Sequence, residues 1–278
     1  MAVGDFKGAR VAVTGAATGL GLAVARAMAE RGAHVAFCGL RAGRVDEAAD
    51  TLRNAGAASV HGDVVDVTDA DAHTAWVERA ADAMGGIDIG WNNAGLMLPS
   101  QPVQDIRWED YDRLMAVNLH AVFRGSQLFA RRMIQQGTPA LIVNTGSENS
   151  LFHAFPGGAA YVASKMAVRG LTHTLRQDVP GHIDVKLLCP GFVQTELGPD
   201  AQMRHGMDAA RFADIVLPQF LEPDRFYVAS HGYNAVRVRQ QTDAMLADVE
   251  RGSAPAEATE RYDTYTLLGL DNDGRPKG

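Results

Sequence analysis

The chain is 278 residues long, 46% hydrophobic and 21% charged, a balance that lets a globular protein bury a sizeable core. Its net charge of −7 comes from 33 acidic against 26 basic side chains with no basic run. That argues against nucleic acid as a partner, because affinity for a phosphate backbone rests on clustered cations. No apolar stretch reaches the length of a membrane span and residues 1–10 lack the apolar core of a secretion signal, so the expectation is a cytoplasmic protein without membrane contact.

In chain order, residues 10–14 read as a strand, 20–31 as an alanine-rich helix, 34–38 as a strand, 44–55 as a helix and 59–63 as a third strand. Residues 69–84 follow as a helix, with Thr68 or Asp69 as its N-cap. Residues 87–91, 140–145 and 182–188 complete six strands, the last three separated by long helices over 108–135 and 159–178. Such alternation implies right-handed βαβ crossovers and a parallel sheet covered on both faces: an α/β, Rossmann-like doubly wound fold. After Thr195 the rhythm changes to a helix over 208–221, a seventh strand over 225–229 and a helix over 233–250. The expected molecule is therefore a seven-stranded, mostly parallel sheet with helices on both faces, in one domain over residues 1–250. Within it, about 196–222 reads as a substrate-lid insert, and 251–278 as a surface tail. Cys38 and Cys189 sit in apolar strand runs and read as packing thiols rather than a disulfide.

The first strand runs into Thr14-Gly15-Ala16-Ala17-Thr18-Gly19-Leu20-Gly21, followed at once by a helix. Glycines there let the backbone turn tightly and approach a pyrophosphate, whose charge the helix N-terminus favours. The spacing is Gly-x3-Gly-x-Gly. An NAD-binding sheet of this type carries an acidic residue about 20 positions later, to hold the ribose 2′-hydroxyl. Here the second strand ends in Gly39-Leu40-Arg41-Ala42-Gly43-Arg44. A carboxylate would repel a 2′-phosphate, whereas a guanidinium binds it through paired charge-assisted hydrogen bonds. The cofactor reading is NADP(H), on Arg41 and secondarily Arg44, with NAD(H) as the open alternative.

Four more elements follow in order: Asn92-Asn93-Ala94-Gly95 at the end of the fourth strand, Asn118 in the long helix, Ser147 at the end of the fifth strand, and Tyr161 with Lys165 at i+4. With Pro190-Gly191 after the sixth strand, the whole set resembles the short-chain dehydrogenase/reductase family in its single-domain branch, from about residue 8 to 196 and more loosely to 250. The resemblance implies hydride transfer between a nicotinamide cofactor and an alcohol or carbonyl, with Asn118, Ser147, Tyr161 and Lys165 as the catalytic set. It assigns the glycine turn (Gly15, Thr18, Gly19, Leu20, Gly21) to the pyrophosphate and Asp66 with Val67 to the adenine, Asp63 being the alternative acid. Asn93, Ala94 and Gly95 would pack beneath the adenosine half, Lys165 would reach the nicotinamide ribose, and Pro190, Gly191, Val193 and Thr195 would face the carboxamide. Ser150 competes with Ser147 for the serine's place. No metal is implied.

The chemistry needs these residue types. Tyr161 and Lys165 share a helix face, and a tyrosine, which ordinarily holds its proton to about pH 10, becomes a usable acid–base catalyst if a neighbouring Lys⁺ lowers that value. Tyr161 then exchanges a proton with the substrate oxygen while Ser147 hydrogen-bonds it. In the family, the asparagine corresponding to Asn118 holds a water that relays protons from the lysine to solvent. Met97, Leu98, Phe152, Phe155, Phe192 and Met203, with His153 and His205, suggest an apolar pocket for a bulky or aromatic small molecule. The family also implies a homodimer or homotetramer through the helices of Asn118 and Tyr161. Two rivals stand: sugar-nucleotide epimerisation or dehydration, which usually needs a longer C-terminal substrate domain, and a silent NADP-binding sensor, which should have lost Ser147, Tyr161 or Lys165.

Overall fold

Period-two alternation within the strands decides which side chain faces which layer. Val11 and Val13 of the first strand turn to one face and Ala12 to the other; Leu141 and Val143 part from Ile142 in the same way. The computed structural model describes residues 3–153, 155–197 and 204–271. Its strands are β1 (Arg10–Thr14), β2 (His34–Gly39), β3 (Ser59–Val64), β4 (Ile89–Asn92), β5 (Ala140–Thr145), β6 (Ile183–Cys189) and β7 (Tyr227–Ala229). They form one sheet in the order β3-β2-β1-β4-β5-β6-β7. Every pairing between these strands is parallel.

One face is covered by α1 (Gly19–Ala29), α2 (Ala42–Ala55) and α7 (Ala209–Leu221). Their Val24, Met28, Val45, Leu52, Phe212, Val216 and Phe220 pack on the β1, β2, β4 and β5 side chains of that layer. On the other face lie α3 (Ala70–Met84), α5 (Ala121–Gln136) and α6 (Ala159–Asp178). Trp76 and Val77 of α3 and Phe129 and Met133 of α5 pack there on Ala12, Ala36 and Ile142. Val168 of α6 joins Leu187 and Cys189 of β6. The N-cap of α3 is Asp69, whose carboxylate accepts the Asp71 and Ala72 backbone N–H groups at 3.0 Å, and not Thr68. Both cysteines are free and buried, and burial pushes each thiol up to about 12, as inert packing residues require.

Three sequence expectations change. The helix expected over 108–135 is α4 (Trp108–Met115) and α5 joined by a π-helical turn, Ala116–His120, which contains Asn118. The described part of the expected lid includes α7, a core helix: Phe212, Val216 and Phe220 are fully buried, and Phe220 meets Trp91 edge-on at 5.9 Å between centroids. The last helix, α8 (Asn234–Gly252), runs past 250, and short helical turns at Ala256–Thr259 and Thr264–Leu267 follow in the segment read as tail. The described residues group into two compact units that divide between His231 and Gly232. Among them no helix is long and apolar enough to cross a membrane.

Strand order reverses direction between β1 and β4, and at such a switch point the loops at the carboxyl ends of the strands diverge and leave a crevice. The glycine turn, Asn93, Ser147 and Pro190 follow those strand ends, while Asn118, Tyr161 and Lys165 are brought in by the helical segments after β4 and β5.

Candidate active site

The β1–α1 turn is shaped for close approach by a ligand. Gly15 has φ +67° and Gly19 φ +61°, the left-handed region that favours glycine. A Cβ on Gly15 would lie 2.7 Å from Ala94 Cα, and one on Gly21 would lie 2.5 Å from Asn93 Nδ2. The Asn93 amide donates to the Thr14 and Gly15 carbonyls at 3.1 and 3.0 Å, and Thr14 Oγ1 accepts the Asn93 and Ala94 N–H groups at 2.9 and 3.1 Å. Asn93 and Ala94 thus lock the ends of β4 and β1 together, holding the turn open. Thr18 is the N-cap residue of α1, in extended conformation with no side-chain cap, and Leu20 packs on the core below. Backbone kept free of side chains at a helix N-terminus fits a pyrophosphate, so the residues present suit a dinucleotide.

Ser147, Tyr161 and Lys165 are brought together. Ser147, two residues beyond β5, is buried, its hydroxyl hydrogen-bonded with that of Tyr161. Lys165 is only 3% exposed; its Nζ donates to the Thr145 carbonyl at 2.8 Å and lies 5.7 Å from the centre of the Tyr161 ring. Burial pulls Lys165 down to about 8. Tyr161 does not follow the sequence expectation of a lowered pKa. Burial raises it first and the Glu148 charge adds to this, while the Ser147 hydrogen bond opposes them. The Lys165 ammonium, turned onto a carbonyl, does not reverse that balance.

The competitor Ser150 is structural: its hydroxyl donates to the Lys165 carbonyl at 2.7 Å and accepts the Ser147 N–H at 3.2 Å. Asn118, fully buried in the π-turn, accepts the Leu96 N–H at 2.8 Å and donates to the Leu96 carbonyl at 2.9 Å and to Ser164 Oγ at 3.2 Å. Its side chain therefore clamps the loop after β4. Gly95 fits between Asn118 and Lys165, a Cβ there lying 3.5 Å from Asn118 Oδ1 and 3.8 Å from Lys165 Nζ.

Asp66, expected from the sequence to meet the adenine, lies beyond the end of β3, its Oδ1 accepting Thr68 N–H and Oγ1 at 2.9 and 2.7 Å. Val67 beside it is buried, its carbonyl accepting Arg124 at 3.0 Å. Asp63, the alternative, is within β3 and paired with Arg79 at 3.2 Å. Arg41 and Arg44 stand at the start of α2, but neither is free: Glu196 Oε2 lies 2.7 Å from Arg41, Glu196 Oε1 3.2 Å from Arg44, and Glu47 3.0 Å from Arg44. On the far side, Pro190 is buried and its carbonyl accepts Glu148 N–H at 2.8 Å. Val193 is buried and bridged to Met207. Thr195 lies over the glycine turn, its Cβ 3.5 Å from where a Cβ on Gly19 would be.

Next to Tyr161, Met97, Leu98, Pro99, Ile106 and Phe155 line a small apolar cavity. Of the other pocket candidates, Phe152 is buried, Phe192, His153 and His205 are exposed, and Met203 lies outside the described residues. Sequence reading missed three neighbours. Asn149 donates from its backbone and side chain to Ser147 Oγ at 3.2 and 3.3 Å. The His231 ring lies 2.6 Å from where a Cβ on Gly191 would be, which is why that position has no side chain. Glu196 is the third. Only Asn149, two residues from the serine at the start of a helical turn, left a local signal.

Residues 9–205 match the family model described as short chain dehydrogenase. Over 242 residues the chain is 36% identical to 1-deoxy-11-beta-hydroxypentalenate dehydrogenase of Streptomyces arenae, covering 83% of this chain and 85% of that protein. It is 39% identical over 194 residues to gluconate 5-dehydrogenase of Gluconobacter oxydans, covering 69% and 74%. A solved short chain dehydrogenase/reductase from Burkholderia phymatum, in complex with NAD, is similar at a TM-score of 0.81 and 30% identity, over 88% of this chain and 96% of that one.

Proposed function

The chain belongs to the short-chain dehydrogenase family and is an oxidoreductase acting on CH–OH groups with a nicotinamide cofactor; from that premise we propose that it interconverts a bulky apolar or aromatic ketone and its alcohol, with NADP(H), through Tyr161. The observation that carries this reading is the cluster of buried Ser147 and Lys165 with half-buried Tyr161, which itself lines a small apolar cavity.

When bound, the nicotinamide supplies or takes up the hydride. Gly15, Thr18, Gly19, Leu20 and Gly21 would hold the pyrophosphate, Asp66 and Val67 the adenine, and Arg41 with Arg44 the 2′-phosphate. Asn93, Ala94 and Gly95 would support the adenosine half, Lys165 the nicotinamide ribose, and Pro190, Gly191, Val193 and Thr195 the carboxamide. Tyr161 holds its proton at neutral pH, the form a general acid for carbonyl reduction needs; burial raises its pKa, which opposes proton donation, and the Ser147 hydrogen bond partly offsets that rise. Ser147 donates to the same substrate oxygen, and Asn149 holds the serine hydroxyl in place from behind. Lys165, at about 8, gains and loses protons near neutral pH, and its charge stabilises the phenolate that proton donation leaves. Met97, Leu98 and Phe155 offer the substrate apolar surface. In the assembled enzyme, a homodimer or homotetramer, the helices of Asn118 (α4 and α5) and of Tyr161 (α6) would form the contact, with Trp108 and Phe123 exposed on the former.

NAD(H) is the second reading, favoured by the Glu196 carboxylate that already engages both arginines. Fluorescence titration of the wild type and an Arg41→Asp variant with NADPH and NADH separates the two. The expected result is tighter NADPH binding by the wild type, with the preference lost in the variant through at least about a tenfold weakening for NADPH. Tighter NADH binding by the wild type would overturn the NADP(H) assignment.

A further inference from the structure

We propose that Glu196 sets the cofactor preference of this enzyme, by occupying the two guanidinium groups that a 2′-phosphate would need. The inference rests on the reading that Arg41 and Arg44 face that phosphate. Arg41 and Arg44 stand at the start of α2, whereas Glu196 arrives from the segment after β6, more than 150 positions later in the chain. One carboxylate oxygen takes each arginine, at 2.7 and 3.2 Å. Arg44 also shares a pair with Glu47 at 3.0 Å. Two cations are therefore matched by two carboxylates, and an incoming phosphate dianion meets a neutral cluster.

The pairing is replaceable. Arg41, Arg44 and Glu196 keep 62%, 45% and 49% of their side-chain surface in solvent, and exposed pairs of this kind contribute little. A phosphate can displace a carboxylate from two guanidiniums because it carries more charge and more acceptor oxygens. The displacement nonetheless subtracts from NADPH affinity. NADH, with a 2′-hydroxyl, leaves the Glu196 pairs intact. Specificity of this kind comes from a penalty placed on one ligand rather than an extra contact to the other. Glu196 also adjoins Thr195, which lies over the glycine turn, so the same short segment that answers the 2′ position reaches the crevice floor.

The test is equilibrium titration of NADPH and NADH with wild type, Glu196→Gln, Arg41→Ala/Arg44→Ala, and the triple variant. Glutamine keeps the shape of an exposed side chain, so folding is not at stake. The expected result is that E196Q binds NADPH roughly three- to fivefold more tightly while NADH changes less than about twofold, and that the gain shrinks at high salt. In the background lacking both arginines, E196Q should no longer favour NADPH. Equal changes for the two cofactors, no change, or a gain that persists without the arginines would overturn the proposal. The wild-type titration alone judges the NADP(H) reading: a wild type that prefers NADH, with E196Q still shifting the ratio toward NADPH, would reject that reading and leave the role of Glu196 standing.

Discussion

Lys165 carries its charge in surroundings that oppose it. Its ammonium is almost wholly buried and hydrogen-bonds the Thr145 carbonyl, and burial pulls its pKa from 10.5 to about 8. A shift of that size corresponds to about 3 kcal/mol of destabilisation whenever the folded protein holds the proton. The sign follows from the unfolded chain binding the proton more tightly: the cost is full below about pH 8 and is relieved as pH rises toward 10.5. Lys165→Met should therefore abolish turnover yet raise stability at pH 7 by about 1–3 kcal/mol, part of the gain being offset by the lost hydrogen bond. The difference from wild type should narrow between pH 8 and 10. Thermal denaturation across that range checks it, and a variant less stable than wild type at pH 7 would show that Lys165 is a structural cation. At this scale the sequence was most legible where partners are close: Tyr161 and Lys165 lie on one helix face, and Ser147 follows the preceding strand by two residues. It was least legible at Arg41 and Arg44, because counting cations beside a strand end does not reveal a carboxylate that the fold returns from beyond β6.

The helices behind the site are held by hydrogen bonds as well as by apolar packing. Asn144 in β5 accepts Asn92 Nδ2 of β4 at 2.8 Å and the Ser126 hydroxyl of α5 at 3.2 Å, and donates to Thr172 Oγ1 of α6 at 3.1 Å. All four side chains are buried. Asn144→Ala would leave the Asn92 amide and the Ser126 hydroxyl short of an acceptor and should cost roughly 2–3 kcal/mol, read as a lower urea midpoint with an unchanged slope. A loss below about 0.5 kcal/mol would mean that water replaces the missing amide. Element existence and order were legible throughout because the strands are short β-branched runs and the helices long and periodic. The π-turn at Asn118 was not, since one extra residue per turn leaves the apolar period of the 108–135 stretch almost unchanged. Nor was the placement of α7: an amphipathic helix announces an apolar face but not what covers it, and here Phe212 and Phe220 cover the sheet, not a substrate.

For the molecule as a whole, strand order decides where chemistry can happen. With β1 and β4 adjacent and their connections leaving on opposite faces, the glycine turn, Asn93 just beyond β4 and Ser147 just beyond β5 all lie at the carboxyl ends of the strands. Burial there raises the Tyr161 pKa further above its ordinary value and brings Lys165 down to about 8, within reach of neutral pH. In the mechanism proposed above, this cluster delivers a proton to a carbonyl while NADPH serves as reductant. The most direct test is single-turnover NADPH oxidation by wild type and Tyr161→Phe, across a panel of bulky aliphatic and aryl ketones, with NADPH affinity titrated alongside. Wild type should oxidise NADPH with at least one member of the panel, and the variant should be slower by at least about a thousandfold while binding NADPH within about twofold of wild type. A variant that keeps most of the wild-type rate would contradict Tyr161 as the acid.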